Sequence, residues 1–388
     1  MENALNPYRF RIQSVDLLRG IAMIIMALDH IRTFMGATPF APEDPTQTTV
    51  LFFATRWITH FCAPVFVFLA GTSAYLYARN TNCDLNTLRN FLFTRGLWII
   101  FVEIFLLNLA VQFLPYQFIF LQILWVIGWS MILLAGLIYL PRYMILFFGF
   151  ALVFGHNLLD YIFPYGEGGW LYFVLHQKHM FMTSPLPIFV YYPLIPWPGI
   201  MALGYLFGRL LLLSTPHRNA QIWTVGIIGT ILFLVLRGVN YYGDPVPWET
   251  QERGLLYTLL SFLNTEKYPP SLLFILMTLG PGILMIPWLE KWQGVKVKFI
   301  SVFGRVPFFF YLLHFAIVHV IAIIWSQWRF GTIDWWLGPP SGFPENYQPD
   351  LALVFAIWPI VILLCYPLCK WFANYKKTHK EYWWLSYL

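Results

Sequence analysis

Two residues in the first apolar stretch of this 388-residue chain are spaced for joint chemistry: Arg19 and His30 stand eleven positions apart in SVDLLRGIAMIIMALDHIRTF. At about 100° per residue that separation returns to within roughly 20° of one helix face. Asp16 falls near the same stripe, and Asp29 and Arg32 flank His30. A neutral imidazole can take a proton from a hydroxyl or an amine, while a carboxylate orients it or stabilises its cation. Acyl transfer from a thioester needs that base and a donor for the oxyanion that develops on the carbonyl. His30, Asp29 and His314 are therefore the expected catalytic residues, with His30 as base and Asp29 as its assistant. Arg56 and His60 form an i,i+4 pair and Glu103 offers a counter-charge, so Arg56, His60 and Glu103 are the expected acceptor-binding residues. Arg19, Arg95 and Arg305 could hold the phosphates of an acyl carrier such as coenzyme A.

Each of these residues also has a plainer reading. A histidine in an apolar helix often only joins helices by a hydrogen bond, which applies to His60, His156 and His319, and an arginine near the end of a span can snorkel or set topology. His314 and His319 are five positions apart, about 140° around a helix, so one of them is expected to face a shared cavity. His176 and His179 of HQKH have metal-ligand spacing, but a solvated loop is the simpler account and no metal is expected. No phosphate-binding glycine loop, dinucleotide pattern or cysteine cluster is present.

The elements that must position these side chains are apolar helices. Hydrophobic residues make up 59% of the chain and charged residues only 11%, against about a quarter in soluble domains. The net charge of +6 belongs to short segments between apolar runs, a topology signature and not a nucleic-acid surface. Crossing a core of about 30 Å takes about 20 residues. About ten such stretches are predicted, at 15–35, 51–77, 91–113, 118–140, 143–163, 194–213, 222–242, 270–288, 302–325 and 351–371, in one domain covering 1–388. The first reads as a retained helix and not a cleaved signal. Depth along these spans puts His30 at roughly 22 Å, His319 at roughly 21 Å, His60 at roughly 17 Å and His314 at roughly 13 Å from one face, so they could share a cavity.

Charge alternation supports this count. Arg9, Arg11, Arg19, Arg79, Arg95, Arg142, Arg209, Arg305, Lys376 and Lys380, among others, fall on the side of the N-terminus. The opposite loops hold only Lys178, Arg253, Lys267 and Arg329, with most of the acids, such as Glu43, Asp44, Asp244 and Glu266. Both termini are accordingly predicted cytoplasmic, and Arg32, Arg56 and Arg237 are left near the outer ends of spans. The expected fold is an all-α polytopic helical bundle in a plasma membrane. Long loops at 164–193, 243–269 and 326–350 could cap a site.

The runs SVDLLRGIAMIIMALDH, HFCAPVFVFLAGTSAYL and FGRVPFFFYLLH resemble the bacterial branch of the heparan-alpha-glucosaminide N-acetyltransferase catalytic domain family, over about 14–319. The wider group of transmembrane acyltransferases includes sugar O-acetyltransferases whose first helix carries an arginine, ten residues, then a histidine, and Arg19 and His30 match that spacing. The resemblance implies transfer of an acyl group, commonly acetyl from acetyl-CoA, to a sugar or amino sugar across the membrane. The chain departs from the lysosomal enzyme, where a polar amide stands at the position of His30 and an acid at that of His60. The expected partners are the bilayer, acyl-CoA and a carbohydrate or glycoconjugate acceptor, with no nucleic acid; a homo-oligomer is compatible with the sequence. Two rivals share the intramembrane charges: a transporter or flippase, and a non-catalytic membrane partner whose polar groups only join helices.

Overall fold

The first apolar run forms one uninterrupted helix, α1 (Gln13–Met35), which stops where Gly36 donates its backbone N–H to the Arg32 carbonyl. A computed structural model describes residues 12–112, 115–163, 166–333, 343–344, 346–379, 381–382 and 385. Arg9, Arg11, Lys380 and the expected end of the third span at Phe113 lie outside the described residues, as do parts of the loops at 164–193 and 326–350. After α1 come α2 (Val50–Thr59), α3 (Cys62–Thr81), α4 (Leu85–Val102), α5 (Asn108–Gln112), α6 (Ile123–Leu137), α7 (Arg142–Gly155) and α8 (Leu159–Ile162). Then follow α9 (Trp170–His176), α10 (Trp197–Leu210), α11 (Thr215–Val239), α12 (Leu255–Leu263), α13 (Leu272–Leu289), α14 (Val295–Arg305), α15 (Pro307–Phe330) and α16 (Leu351–Thr378).

Among the described residues, seven helical stretches are long and apolar enough to cross a membrane: Val50–Thr81, Leu85–Gln112, Arg142–Ile162, Thr215–Val239, Leu272–Leu289, Pro307–Phe330 and Leu351–Thr378. Three of the ten expected spans fall outside that group. α1 carries Asp16, Arg19, Asp29 and Arg32, while α6 and α10 have only 15 and 14 residues, short of the usual crossing length. The chain is an all-α polytopic membrane protein. α1 packs against α2, α3 and α13 to α16, encloses Leu17, Ala27 and Ile31 completely, and buries Asp29 and Arg32, while Asp16 and Arg19 stay partly exposed.

Local sequence accounts for several departures from the simple span pattern. The stretch expected at 51–77 breaks at His60 and Phe61, because Pro64 has no N–H for the His60 carbonyl and its ring crowds that oxygen. The stretch expected at 302–325 begins instead at Pro307, whose fixed φ suits a first helical position, leaving Arg305 at the corner after α14. Glu103–Leu107 forms a π-helical turn between α4 and α5. Beyond it, β1 (Ile119–Leu121), β2 (His179–Phe181) and β3 (Ile188–Val190) form a small sheet in the order β1-β3-β2, parallel for β1 with β3 and antiparallel for β2 with β3. The Leu121 carbonyl accepts from the N–H groups of Tyr191 and Tyr192, which fixes where the chain leaves this sheet.

Glycines set the closest crossings. A Cβ on Gly71 would stand 2.0 Å from the Met201 carbonyl oxygen and one on Gly204 2.1 Å from that of Phe68, so α3 and α10 touch backbone to backbone. At the crossing of α1 and α14 a Cβ on Gly304 would stand 1.9 Å from the Asp16 oxygen, and this approach brings Arg19, one turn farther along α1, to the carbonyl of the same glycine.

Candidate active site

At the end of the bundle where α1 begins and α16 closes, here the basic end, Arg19 donates to the Gly304 carbonyl at 3.2 Å and to the Ser73 hydroxyl at 2.7 Å. Asp16 stands 3.8 Å away on the same helix face. Arg19, Arg95 and Arg305 line one cavity of about 460 Å³, together with Ser73, Lys376 and apolar walls from α3, α4 and α6. The geometry thus joins arginines from α1, α4 and α14 that are far apart in sequence. Along the next helix the wall continues through Pro307 and Phe308 to Tyr311.

His314 follows three residues later, roughly 4.5 Å farther along α15. Its Nε2 lies 2.6 Å from Nδ1 of His30, and its own Nδ1 lies 2.8 Å from the Phe310 carbonyl oxygen. A carbonyl oxygen only accepts, so Nδ1 of a neutral His314 carries the proton and its Nε2 accepts. Nδ1 of His30 must then donate, which leaves the lone pair of His30 on Nε2. The two rings stack at 4.9 Å between centroids, and Phe315 covers His30 at 4.0 Å. Tyr311 stands edge-on to His30 at 6.2 Å and 5.8 Å from His314. It is buried, and its hydroxyl makes no hydrogen bond among the described residues.

Toward the opposite, loop end, the polar residues are held by one another. The Asp29 carboxylate accepts from Arg32 at 2.6 Å and from Arg56 at 2.9 Å. It therefore turns to two guanidinium groups and not to His30, whose hydrogen-bond partner is His314. Arg56 also donates to Glu43 at 3.4 Å and to the Tyr268 hydroxyl at 3.5 Å. Around this cluster lies a second cavity of about 440 Å³, whose wall includes Arg32, Thr33, Glu43, Arg56, Lys178 and Lys267. Burial alone would raise the Glu43 carboxyl, but Arg56 beside it, helped by a backbone hydrogen bond, Arg32 and Lys267, holds it below its usual range. Burial, and then the Arg56 charge, pull the Lys267 ammonium down to about 8.

Other expected residues take different places. His60 sits at the break after α2 with its ring 5.2 Å from Phe274, and neither nitrogen has a hydrogen-bond partner among the described residues. It lines neither cavity. Glu103 is fully buried, and its two carboxylate oxygens accept from the backbone N–H groups of Gln122 at 2.5 Å and Leu124 at 3.1 Å. It caps the N-terminus of α6, where the exposed N–H groups favour an anion, and lines neither of these two cavities. His319 faces the Ala110 carbonyl at 2.9 Å, so of the α15 pair it is His314 that meets His30. In the HQKH loop, His176 pairs with Asp160 at 2.9 Å while His179 stacks on Phe173.

Tyr311, Lys267 and Tyr268 line these cavities without being among the expected catalytic or binding residues. Tyr311 precedes His314 by one helical turn and could have been flagged by that i,i+3 relation. Nothing local marks Lys267 and Tyr268, which reach the cavity through the fold of the 243–269 loop.

Among curated proteins no match to the chain is found. Residues 11–240 match the family model for heparan-alpha-glucosaminide N-acetyltransferase, catalytic, so Arg305, Tyr311 and His314 come to the site from beyond the matched segment. That match covers more than half of the 388 residues, and the chain belongs to this family of transmembrane acetyltransferases as a multi-pass membrane protein.

Proposed function

We propose that the protein moves an acetyl group from acetyl-CoA, bound at the basic end, to a sugar or amino sugar that enters from the loop end. The observation that carries this reading is the line Arg19, Arg95, Arg305, Tyr311, His314 and His30, which leads from a cationic cavity to a paired base. About 16 Å of helix rise separates Arg19 from His30, a span suited to the flexible arm between a diphosphate and a thioester. Positive loops favour the cytoplasm, and this supports a donor cavity facing the inside of a bacterial cell with the acceptor outside its inner membrane.

The residues have separable tasks. Arg19, Arg95 and Arg305 hold the phosphates, and the apolar walls from α3, α4 and α6 hold the arm. When bound, acetyl-CoA supplies a thioester carbonyl as the electrophile. His30 Nε2 removes the proton from the acceptor O–H or N–H while the acceptor's lone pair forms the new bond to that carbonyl carbon. The Tyr311 hydroxyl donates to the carbonyl oxygen as negative charge gathers there. His30 then returns its proton to the departing thiolate as the C–S bond breaks. His314 keeps His30 in the tautomer that this sequence needs. Arg32 and Arg56, anchored by Asp29, shape the acceptor side.

The test is thiol release from acetyl-CoA by the detergent-purified protein, with hydroxyl-bearing and amine-bearing sugars offered as acceptors. His30→Ala is expected to lower turnover by about 10²- to 10⁴-fold while acetyl-CoA still raises the melting temperature. A folded His30→Ala protein that transfers acetyl at the parent rate rules the reading out. Sugar flux into proteoliposomes without any acyl donor would favour a transporter in its place.

A further inference from the structure

The loop-end cavity holds an imbalance that the transfer chemistry leaves unused. Each carboxylate near it has a partner: Asp29 has Arg32 and Arg56, Glu43 has Arg56, and Glu266 accepts the Tyr268 backbone N–H at 2.9 Å. Two of the cations make no direct ion pair among the described residues, although Lys267 lies within electrostatic reach of Asp29 and Glu43, and Lys178 within that of Glu266. Lys267 is only 6% exposed, yet it has no ion pair or hydrogen bond among the described residues. Its Nζ lies 5.2 Å from the centre of the Tyr268 ring, and that of half-buried Lys178 lies 5.8 Å from the same ring. Buried charge is costly unless it is paired, and a ring face supplies only part of what a carboxylate or phosphate oxygen would.

The cavity that both lysines line has the volume of a small-ligand site and adds the polar side chains of Asn264 and Thr265. Arg32 and Thr33, two and three residues beyond His30 on α1, stand in the same wall. A ligand anchored by an anionic group at the lysines would therefore extend its uncharged part toward His30.

We propose that this cavity recognises a carboxylate or phosphate group on its ligand, held chiefly by Lys267 with Lys178, and that the ligand is an acidic or phosphorylated sugar serving as acceptor. The second half rests on the function proposed above; the anion site does not. Oxygen atoms of such a group would complete the ammonium's hydrogen bonds, and neighbouring Arg56 would strengthen the attraction.

The test is binding of glucuronate, glucose 6-phosphate, methyl glucoside and inorganic phosphate to the purified protein, by calorimetry, with no acyl donor present. One of the two anionic sugars is expected to bind at least about ten-fold tighter than methyl glucoside, with Lys267→Met abolishing the preference. Lys178→Met, on a half-buried side chain, should weaken the preference several-fold and serves if Lys267→Met does not fold. Equal affinity for charged and neutral sugars, or an undiminished preference in the folded variants, overturns the proposal. Inorganic phosphate binding as tightly as the anionic sugars would mark a free-anion site and overturn the acceptor assignment. Because acetyl transfer is not the readout, an anion preference in an inactive protein and its absence in an active one remain distinct results.

Discussion

The two cavities are built from similar cations and opposite arrangements. The wall at the basic end holds Arg19, Arg95, Arg305 and Lys376 with no acidic residue among them, the rest being mostly apolar. At the loop end Arg32, Arg56, Lys178 and Lys267 share the wall with Glu43 and Glu266, and Asp29 ties two of the arginines together. A mainly cationic wall beside apolar surface, with Asp16 set back 3.8 Å from Arg19, suits a ligand with several negative charges and a hydrophobic arm. A wall with a smaller positive excess, rigid through its ion pairs, suits a polar ligand that must be oriented. On the proposed function, charges at the basic end serve binding, whereas most of those at the loop end serve the fold.

The largest expected effect tests the structural half of that contrast. Asp29→Asn leaves Arg32 and Arg56 buried without their shared anion, and should lower unfolding stability by about 3 kcal/mol or more in a thermal or denaturant melt. A cost below about 1 kcal/mol would mean that the loop-end charges do not hold the fold.

Next comes pH. Burial, only partly offset by Arg237 at 3.8 Å, pushes the Asp244 carboxyl up to about 6. Between about 4 and 6 the folded protein keeps a proton that the unfolded chain has lost, so stability falls as pH rises through that window, by up to about 3 kcal/mol. Melting of Asp244→Asn should lack that fall. Lys267 works the other way: with its ammonium pulled down to about 8, the unfolded chain holds more protons above that pH, and stability rises from about 8 toward 10.5.

At the basic end the effects should fall on affinity. Arg95→Gln combined with Arg305→Gln is expected to weaken acetyl-CoA binding about ten-fold or more at low salt, and less at high salt, with little change in melting temperature. A melting loss as large as that of Asp29→Asn would erase the contrast. The smallest effect belongs to Ser73→Ala, which removes an acceptor 2.7 Å from Arg19 and should cost about 1 kcal/mol of binding, a several-fold change in calorimetry.

Much of the architecture is legible in the sequence because the bilayer penalises charge. Each ionisable residue in an apolar run must be enclosed or paired, which is why the stripe of α1 announces itself. Directions of side chains are not legible in the same way. That His30 meets His314 and not Asp29 depends on how α1 and α15 pack, since the adjacent residue in sequence points to another face. Glu103 looks like a free counter-charge until the turn through β1 sets the start of α6 over its carboxylate. Pro64 stands in plain view in HFCAPVF, but the continuous apolar run around it hides the break it causes at His60. The three-residue strands are too short to leave a period in the sequence at all.

The backbone contact of α3 with α10 has a consequence for genetics. Gly71 and Gly204 admit no methyl group, as a Cβ would stand only 2.0 and 2.1 Å from the oxygens of Met201 and Phe68. A mutational scan scored by growth or product would rank both positions beside His30, although neither reaches the chemistry. Only a parallel measure of protein abundance in the membrane separates the two kinds of intolerance.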